Sequence, residues 1–223
     1  MPFLELWRNN MTTWTFDRNA QLNNKPEEKN KEQKIFKNVQ ELKDQFVMPI
    51  TNRIFVADKL VDYNMQQQIY SSCTKHNYFL GWEDRTDDGK DRKNLHGILK
   101  KEDLENIGLY ERMMVAFRNS VFDDYQNFKF SKAVINLSKS GDVHFAHTHP
   151  GQVMCLYYVN LEWKDGYYGE TVFYDDKIED IKFSSVYKPG RFLMFDGEIP
   201  HSIRPQSSIG PTYRFTISSF FEK

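Results

Sequence analysis

Apolar residues follow two different periods along this chain, and the change falls near residue 128. Before it, Leu60, Val61, Met65, Ile69 and Cys73 recur about once per helical turn, which predicts a helix with Asp58 as its cap. A second helix is expected from Glu102 or Asp103 to about Phe122, with Leu104, Ile107, Leu109, Met113, Phe117 and Val121 as its buried stripe. After it come short runs rich in aromatic and β-branched residues, separated by Gly, Pro, Asp and Ser. They predict strands at Phe128–Leu137, Val153–Leu161, Thr171–Tyr174, Ile181–Tyr187, Arg191–Phe195 and Tyr213–Phe221. Helices followed by a run of strands argue for an antiparallel barrel or sandwich with helices packed on one side.

The remaining segments are punctuated by polarity. Residues 1–16 carry Phe3, Leu4, Leu6, Trp7, Trp14 and Phe16, enough for a strand or an ordered arm. Residues 17–36 are rich in Asn, Lys, Glu and Gln and read as an exposed loop. The polar stretch Glu83 to Asn94 is a further loop, either a lid or substrate-binding feature or solvated surface. The expected organisation is an N-terminal arm and helical support region, 1–127, forming one compact domain with a strand-built core, 128–223.

Bulk properties remove several function classes. With 30 basic and 31 acidic side chains the formal net charge is -1, so no global field draws nucleic acid or an anionic membrane. No apolar stretch approaches the roughly 18 residues of a membrane span, and the first residues lack the basic-then-apolar order of a signal peptide. Cys73 and Cys155 make no disulfide scaffold. A reducing cytoplasmic setting is expected. No glycine-rich phosphate loop precedes a helix, so a Rossmann or P-loop reading finds no support.

Candidate chemistry lies in the histidines. Three of six fall in Gly141-Asp142-Val143-His144-Phe145-Ala146-His147-Thr148-His149, and His201 follows about fifty residues later. In an extended strand, residues two apart share a face, so His147 and His149 can present both imidazoles to one point. His144 has the opposite parity. A barrel can bring His201 against the pair, giving three ligands suited to Fe, Zn, Ni or Cu. The plain alternative is a surface histidine cluster. Asp142 and Asp196 read as turn residues.

Residues 141–221 resemble the catalytic core of the iron(II)- and 2-oxoglutarate-dependent dioxygenases, in the prolyl-hydroxylase-like branch. The likeness runs through Gly141–His149, Leu156–Trp163, Gly169-Glu170-Thr171-Val172-Phe173, Lys188–Asp196, Ile199-Pro200-His201-Ser202 and Tyr213-Arg214-Phe215-Thr216. It implies a mainly β fold with N-terminal helices, the double-stranded β-helix or jelly roll. It also implies that His147 and His201 bind iron(II), and that Arg214 pairs with the far carboxylate of 2-oxoglutarate. Tyr158 or Tyr157 would donate a hydroxyl to that carboxylate; alternation keeps them from both pointing inward. Thr216 shares Arg214's parity and would line the same pocket.

The implied reaction uses molecular oxygen to hydroxylate a C–H bond of a peptide, protein or small-molecule substrate, a prolyl side chain being one candidate. Arg204, Trp163 and Trp82 would lie near the substrate, with Arg85, Arg92, Tyr167 and Tyr168 in neighbouring segments. Trp163 and Tyr168 read equally as structural aromatics. The pattern departs at His149, where the family carries a carboxylate, and at Tyr168, where it often carries a glycine. His149 as the third ligand leaves the metal one unit more positive; the alternatives are that His149 points away and a water, the substrate or an acid such as Glu170 completes the set, or that the site is a remnant or prefers another divalent metal. Two further readings stand beside this one. The first is a cupin-like three-histidine metal oxygenase that does not use 2-oxoglutarate. The second is a noncatalytic jelly-roll binding protein.

Overall fold

The computed structural model describes residues 47–51, 53–82, 94–120, 122 and 124–223. The arm expected at 1–16, the loop at 17–36, most of the polar loop after Trp82, with Arg85 and Arg92, and Val121 all lie outside the described residues.

Eight strands form the larger sheet. In chain order they are β1 (Val47–Thr51), β2 (Ile54–Ala57), β3 (Phe79–Trp82), β4 (Asn94–Leu99), β5 (Lys129–Ser138), β6 (Gln152–Tyr158), β9 (Phe192–Asp196) and β11 (Arg214–Glu222). Their spatial order is β1-β2-β9-β6-β11-β5-β4-β3, with every neighbouring pair antiparallel. The smaller sheet has the order β10-β7-β8, built from β7 (Thr171–Tyr174), β8 (Ile181–Ser185) and β10 (His201–Ile203). All six predicted strands are present, within a few residues at each end. The four strands before residue 100 and the three-residue β10 are additions that their short, interrupted runs did not announce.

Alternation on the large sheet builds two cores. One face of β5, β6, β9 and β11 carries Ile135, Cys155, Tyr157, Met194, Ile217 and Phe221, all buried against α1 (Tyr63–Thr74), α2 (Lys101–Asn106) and α3 (Leu109–Arg118). The helices contribute Ile69, Cys73, Leu104, Met113 and Phe117, each worth roughly 1.5–3 kcal/mol when fully buried. Phe117 packs edge-to-face on Phe221 with ring centroids 4.8 Å apart. The opposite face turns Val134, Met154, Leu156, Tyr158, Leu193 and Phe220 into the barrel interior with Phe173 of the small sheet. This is the double-stranded β-helix expected from the sequence.

Two helix expectations are corrected. Asp62, not Asp58, caps α1, its Oδ1 accepting the Met65 amide at 2.9 Å. Asp58 instead accepts hydrogen bonds from Arg191 Nε at 2.8 Å and Lys188 Nζ at 2.6 Å, tying the entry to α1 to the connection before β9. The single long helix is two, because Gly108 adopts a left-handed φ of 68° between α2 and α3. The apolar stripe continues across the break, which is why periodicity alone reads it as one helix. α3 ends at Arg118 rather than near Phe122.

Candidate metal centre

The local fold converges the histidines on one point. The His147 amide donates to the His201 carbonyl and the His201 amide to the His147 carbonyl, both at 3.0 Å. This isolated antiparallel bridge sets the two residues opposite each other and extends the small sheet beside β10. His149, two residues on, is held from the other side. Its amide donates to the Gly197 carbonyl at 2.7 Å, and the Gly197 amide donates to the Gln152 carbonyl at 2.8 Å. A Cβ at Gly197 would lie 2.3 Å from the His149 carbonyl oxygen, so only glycine fits beneath this residue.

One ligating atom from each of His147, His149 and His201 lies within 4.8 Å of the other two. Imidazoles around one first-row ion at about 2.1 Å sit roughly 3 Å apart, so small side-chain rotations complete the set. The ring environment orients two of them. His147 Nδ1 is 2.9 Å from the Phe145 carbonyl and His201 Nδ1 is 2.8 Å from the Ile199 carbonyl. A carbonyl only accepts, so both Nδ1 atoms carry the proton and both Nε2 atoms are left to ligate. His149 packs edge-on against Phe220, with centroids 5.2 Å apart. Among the described residues no carboxylate joins this cluster. The donor set therefore fits a divalent metal such as iron, with a charge the protein ligands leave uncancelled.

A cavity of about 60 Å³ adjoins the histidines, room for roughly four water-sized groups. Met154, Leu156, Phe195, Ile203 and Phe220 form its apolar wall, and Asn136, His144, Thr171 and Ser218 its polar one. Asn136 Nδ2 donates to Ser218 Oγ at 2.8 Å across β5 and β11. Farther along β11, Arg214 is 1% exposed. Its Nε donates to the Gly169 carbonyl at 3.0 Å, and its guanidinium carbon sits 4.9 Å from the Tyr187 ring centroid and 5.8 Å from that of Tyr158. Nη1 and Nη2 have no hydrogen-bond partner among the described residues. Burial lowers the guanidinium pKa, and the Tyr187 and Tyr158 phenols and Glu170 oppose that shift.

No protein-family model and no curated protein sequence matches the chain. Solved structures do. A Pseudomonas putida prolyl-4-hydroxylase is similar at 12% identity and a TM-score of 0.57, over 78% of this chain and 94% of that one. A Trichoplax adhaerens prolyl hydroxylase, in complex with a hypoxia inducible factor peptide fragment, is similar at 15% identity and a TM-score of 0.54, over 77% and 84%. HygX from Streptomyces hygroscopicus, with nickel and 2-oxoglutarate bound, is similar at 11% identity and a TM-score of 0.56, over 76% and 82%. The chain has the fold of the iron(II)- and 2-oxoglutarate-dependent oxygenases.

Within that oxygenase fold the expected residues divide. His147, His149 and His201 come together, while Glu170 stays out of the cluster. Arg214, Thr216 and Tyr158 share the barrel interior, Thr216 lying opposite Tyr158 across β11 and β6. Tyr157 faces the other way, in the helix-side core beside Phe192. Trp163 stacks on Tyr187 at 4.2 Å and donates its Nε1 to the Tyr168 carbonyl at 2.8 Å, a packing role beneath a loop. Arg204 lies over the exposed Tyr168 ring and does not line the cavity. Trp82 ends β3; its side chain lies outside the described residues. Asp196 stays out of the cluster and opens the turn after β9, its Oδ1 accepting the Glu198 amide at 3.1 Å, with ion pairs to Arg53 and Lys223 besides.

Sequence reasoning missed Asn136, Ser218, Gly197 and Tyr187. Ser218 carried a usable signal, since it continues the parity of Arg214 and Thr216 along one strand. Asn136 and Tyr187 had none, because their positions depend on pairing between distant strands. His144 lines the cavity despite its parity, because the segment leading to His147 is not a regular strand.

Proposed function

We propose that this chain is a metal-dependent oxygenase that holds its ion with three neutral imidazoles, in the manner of cupin-type oxygenases that work without 2-oxoglutarate. The observation that carries this reading is the all-histidine cluster of His147, His149 and His201. A bound iron(II) would supply dioxygen activation. The chain's residues have simpler tasks. The carbonyls of Phe145 and Ile199 hold the rings of His147 and His201 by Nδ1 and leave Nε2 facing the site. Phe195, Phe220, Leu156 and Ile203 keep bulk water from the ion, and Asn136 and Ser218 orient a small bound molecule. Leaving the ion's charge uncancelled favours an anionic substrate at the open positions.

A second reading, 2-oxoglutarate dependence, is favoured by Arg214. A fully buried guanidinium with two unsatisfied nitrogens matches the fork geometry of a carboxylate. Under this reading the substrate would be a C–H bond of a peptide or small molecule, as the prolyl hydroxylases of similar fold suggest. One experiment separates the two. Iron(II)-loaded protein is given oxygen with candidate small acids, with and without 2-oxoglutarate, and both oxygen uptake and succinate are measured. The first reading expects uptake that is unchanged by 2-oxoglutarate and yields no succinate. Succinate formed in step with uptake, and lost in Arg214→Met, would establish the second instead. Failure to bind iron at all would sink both and leave a noncatalytic jelly roll.

A further inference from the structure

The large sheet runs on past the metal cavity, and its register fixes what it carries there. Residues directly opposite on antiparallel neighbours share a face. Ser218 of β11 lies opposite Val134 of β5, which lies opposite Ile98 of β4. Two residues along β5, Asn136 lies opposite His96, which lies opposite Phe79 of β3. Ser218 and Asn136 line the cavity. Ile98, His96 and Phe79 therefore continue its face outward by one or two strand spacings, about 5–10 Å. Cover falls away past β5: Val134 is 2% exposed, whereas Ile98 is 57% and Phe79 56% exposed. A single exposed apolar side chain needs no account, but these two border His96 on one face, with the Phe79 and His96 ring centroids 6.1 Å apart. The shelf meets the cavity by a second route. Asn94, two residues before His96 on β4, has its Nδ2 3.5 Å from Nδ1 of the cavity residue His144.

The cavity itself, about 60 Å³, holds only the reacting end of a substrate. Among the described residues its lining has no carboxylate, and three neutral imidazoles leave a bound ion's charge uncancelled. Lys132 adds a cation on the same face, its Nζ 4.7 Å over the ring of Phe220, which packs against His149. The near end suits an anion and the far end an apolar group. We propose that the substrate is a carboxylic acid with an apolar chain. Its carboxylate sits at the histidine end, and its chain leaves past Asn136 and Ser218 to lie on Ile98 and Phe79. Placement of the carboxylate rests on the three-histidine metal reading; placement of the chain rests on the shelf alone. An extended peptide is the poorer fit, since it brings a polar backbone amide at every residue to a face whose exposed outer side chains are apolar.

The test uses the full chain and the straight-chain acids acetate, butanoate, hexanoate and octanoate, titrated calorimetrically into cobalt(II)-loaded and metal-free protein. Affinity in the parent should rise about twofold per added methylene, half the effect of complete burial, because a shelf covers one side of the chain. Ile98→Thr and Phe79→Thr keep residues that favour strands and should each flatten that rise, the double variant nearly abolishing it. Leu80→Thr is the control: Leu80 is 65% exposed on the opposite face of β3, and its loss should leave the rise intact. No rise with chain length in the parent would overturn the proposal, as would a rise that survives the double variant or falls equally in Leu80→Thr. Absent octanoate binding, with the shelf variants instead losing a deca-proline peptide or a dimer seen by sedimentation, would overturn it in favour of that occupant. Cobalt stoichiometry reports separately on the metal reading. If no cobalt binds, that reading fails, and octanoate on metal-free protein still decides the shelf: binding lost in the double variant supports it, and no binding overturns it.

Discussion

At the scale of single residues, the site depends on backbone more than on side-chain partners. Two of the three histidines are oriented by carbonyls two positions earlier, and the third sits over a glycine. Gly197→Ala is therefore expected to displace His149, because its new methyl meets the His149 and Gln152 carbonyl oxygens at 2.3 and 2.8 Å. Cobalt(II) affinity should fall by about 10- to 100-fold, measured by titration, while circular dichroism stays that of the folded protein. An unchanged affinity would mean that His149 does not ligate. His147 and His149 were legible in the sequence from parity and residue type, and His201 from the family resemblance. Gly197 was not, because its constraint is a contact with a segment about fifty residues earlier. Tyr157 and Tyr158 were legible as a pair of which one points inward; only the sheet could choose.

Elements carry the next level of information, and there electrostatics is informative. Burial alone would raise the Asp58 carboxyl, but hydrogen bonds and charge from Arg191 and Lys188 outweigh it and hold the carboxyl below its usual range. A depressed folded-state pKa contributes stability that is present above the unfolded value near 4 and is lost as pH falls through the folded value. Asp58→Asn should cost about 1–3 kcal/mol at pH 7 and lose part of that deficit relative to the parent below about pH 4, read from urea unfolding at stepped pH. A deficit independent of pH would point to packing instead of charge. The misassigned helix cap belongs to this scale: the sequence points to Asp58, and Arg191, far along the chain, holds that carboxylate away from the helix. The break at Gly108 was hidden for a related reason, since an apolar stripe survives a change of direction when both halves pack on one sheet.

For the molecule as a whole, the barrel and its metal site should be linked. An ion bound only by the folded state adds about 2.7 kcal/mol at a free concentration 100 times its dissociation constant. For a chain of this size that raises the melting temperature by roughly 5–10 °C, seen by calorimetry with and without cobalt(II). The increment should disappear in His147→Ala. Among the described residues no helix is long and apolar enough to cross a membrane. Local chemistry along the chain was enough to determine the helices-then-strands order, six of the seven later strands, and the shared parity of His147 with His149 and of Arg214 with Thr216. Those features depend on side-chain period and residue type, which act between near neighbours. Tertiary structure alone decided that β1 to β4 join the large sheet, that the three imidazoles meet with no carboxylate among the described residues beside them, and that Tyr158 rather than Tyr157 turns into the barrel. Each of these is a contact between segments far apart in sequence, and pairing across a barrel leaves no periodic trace in either segment by itself.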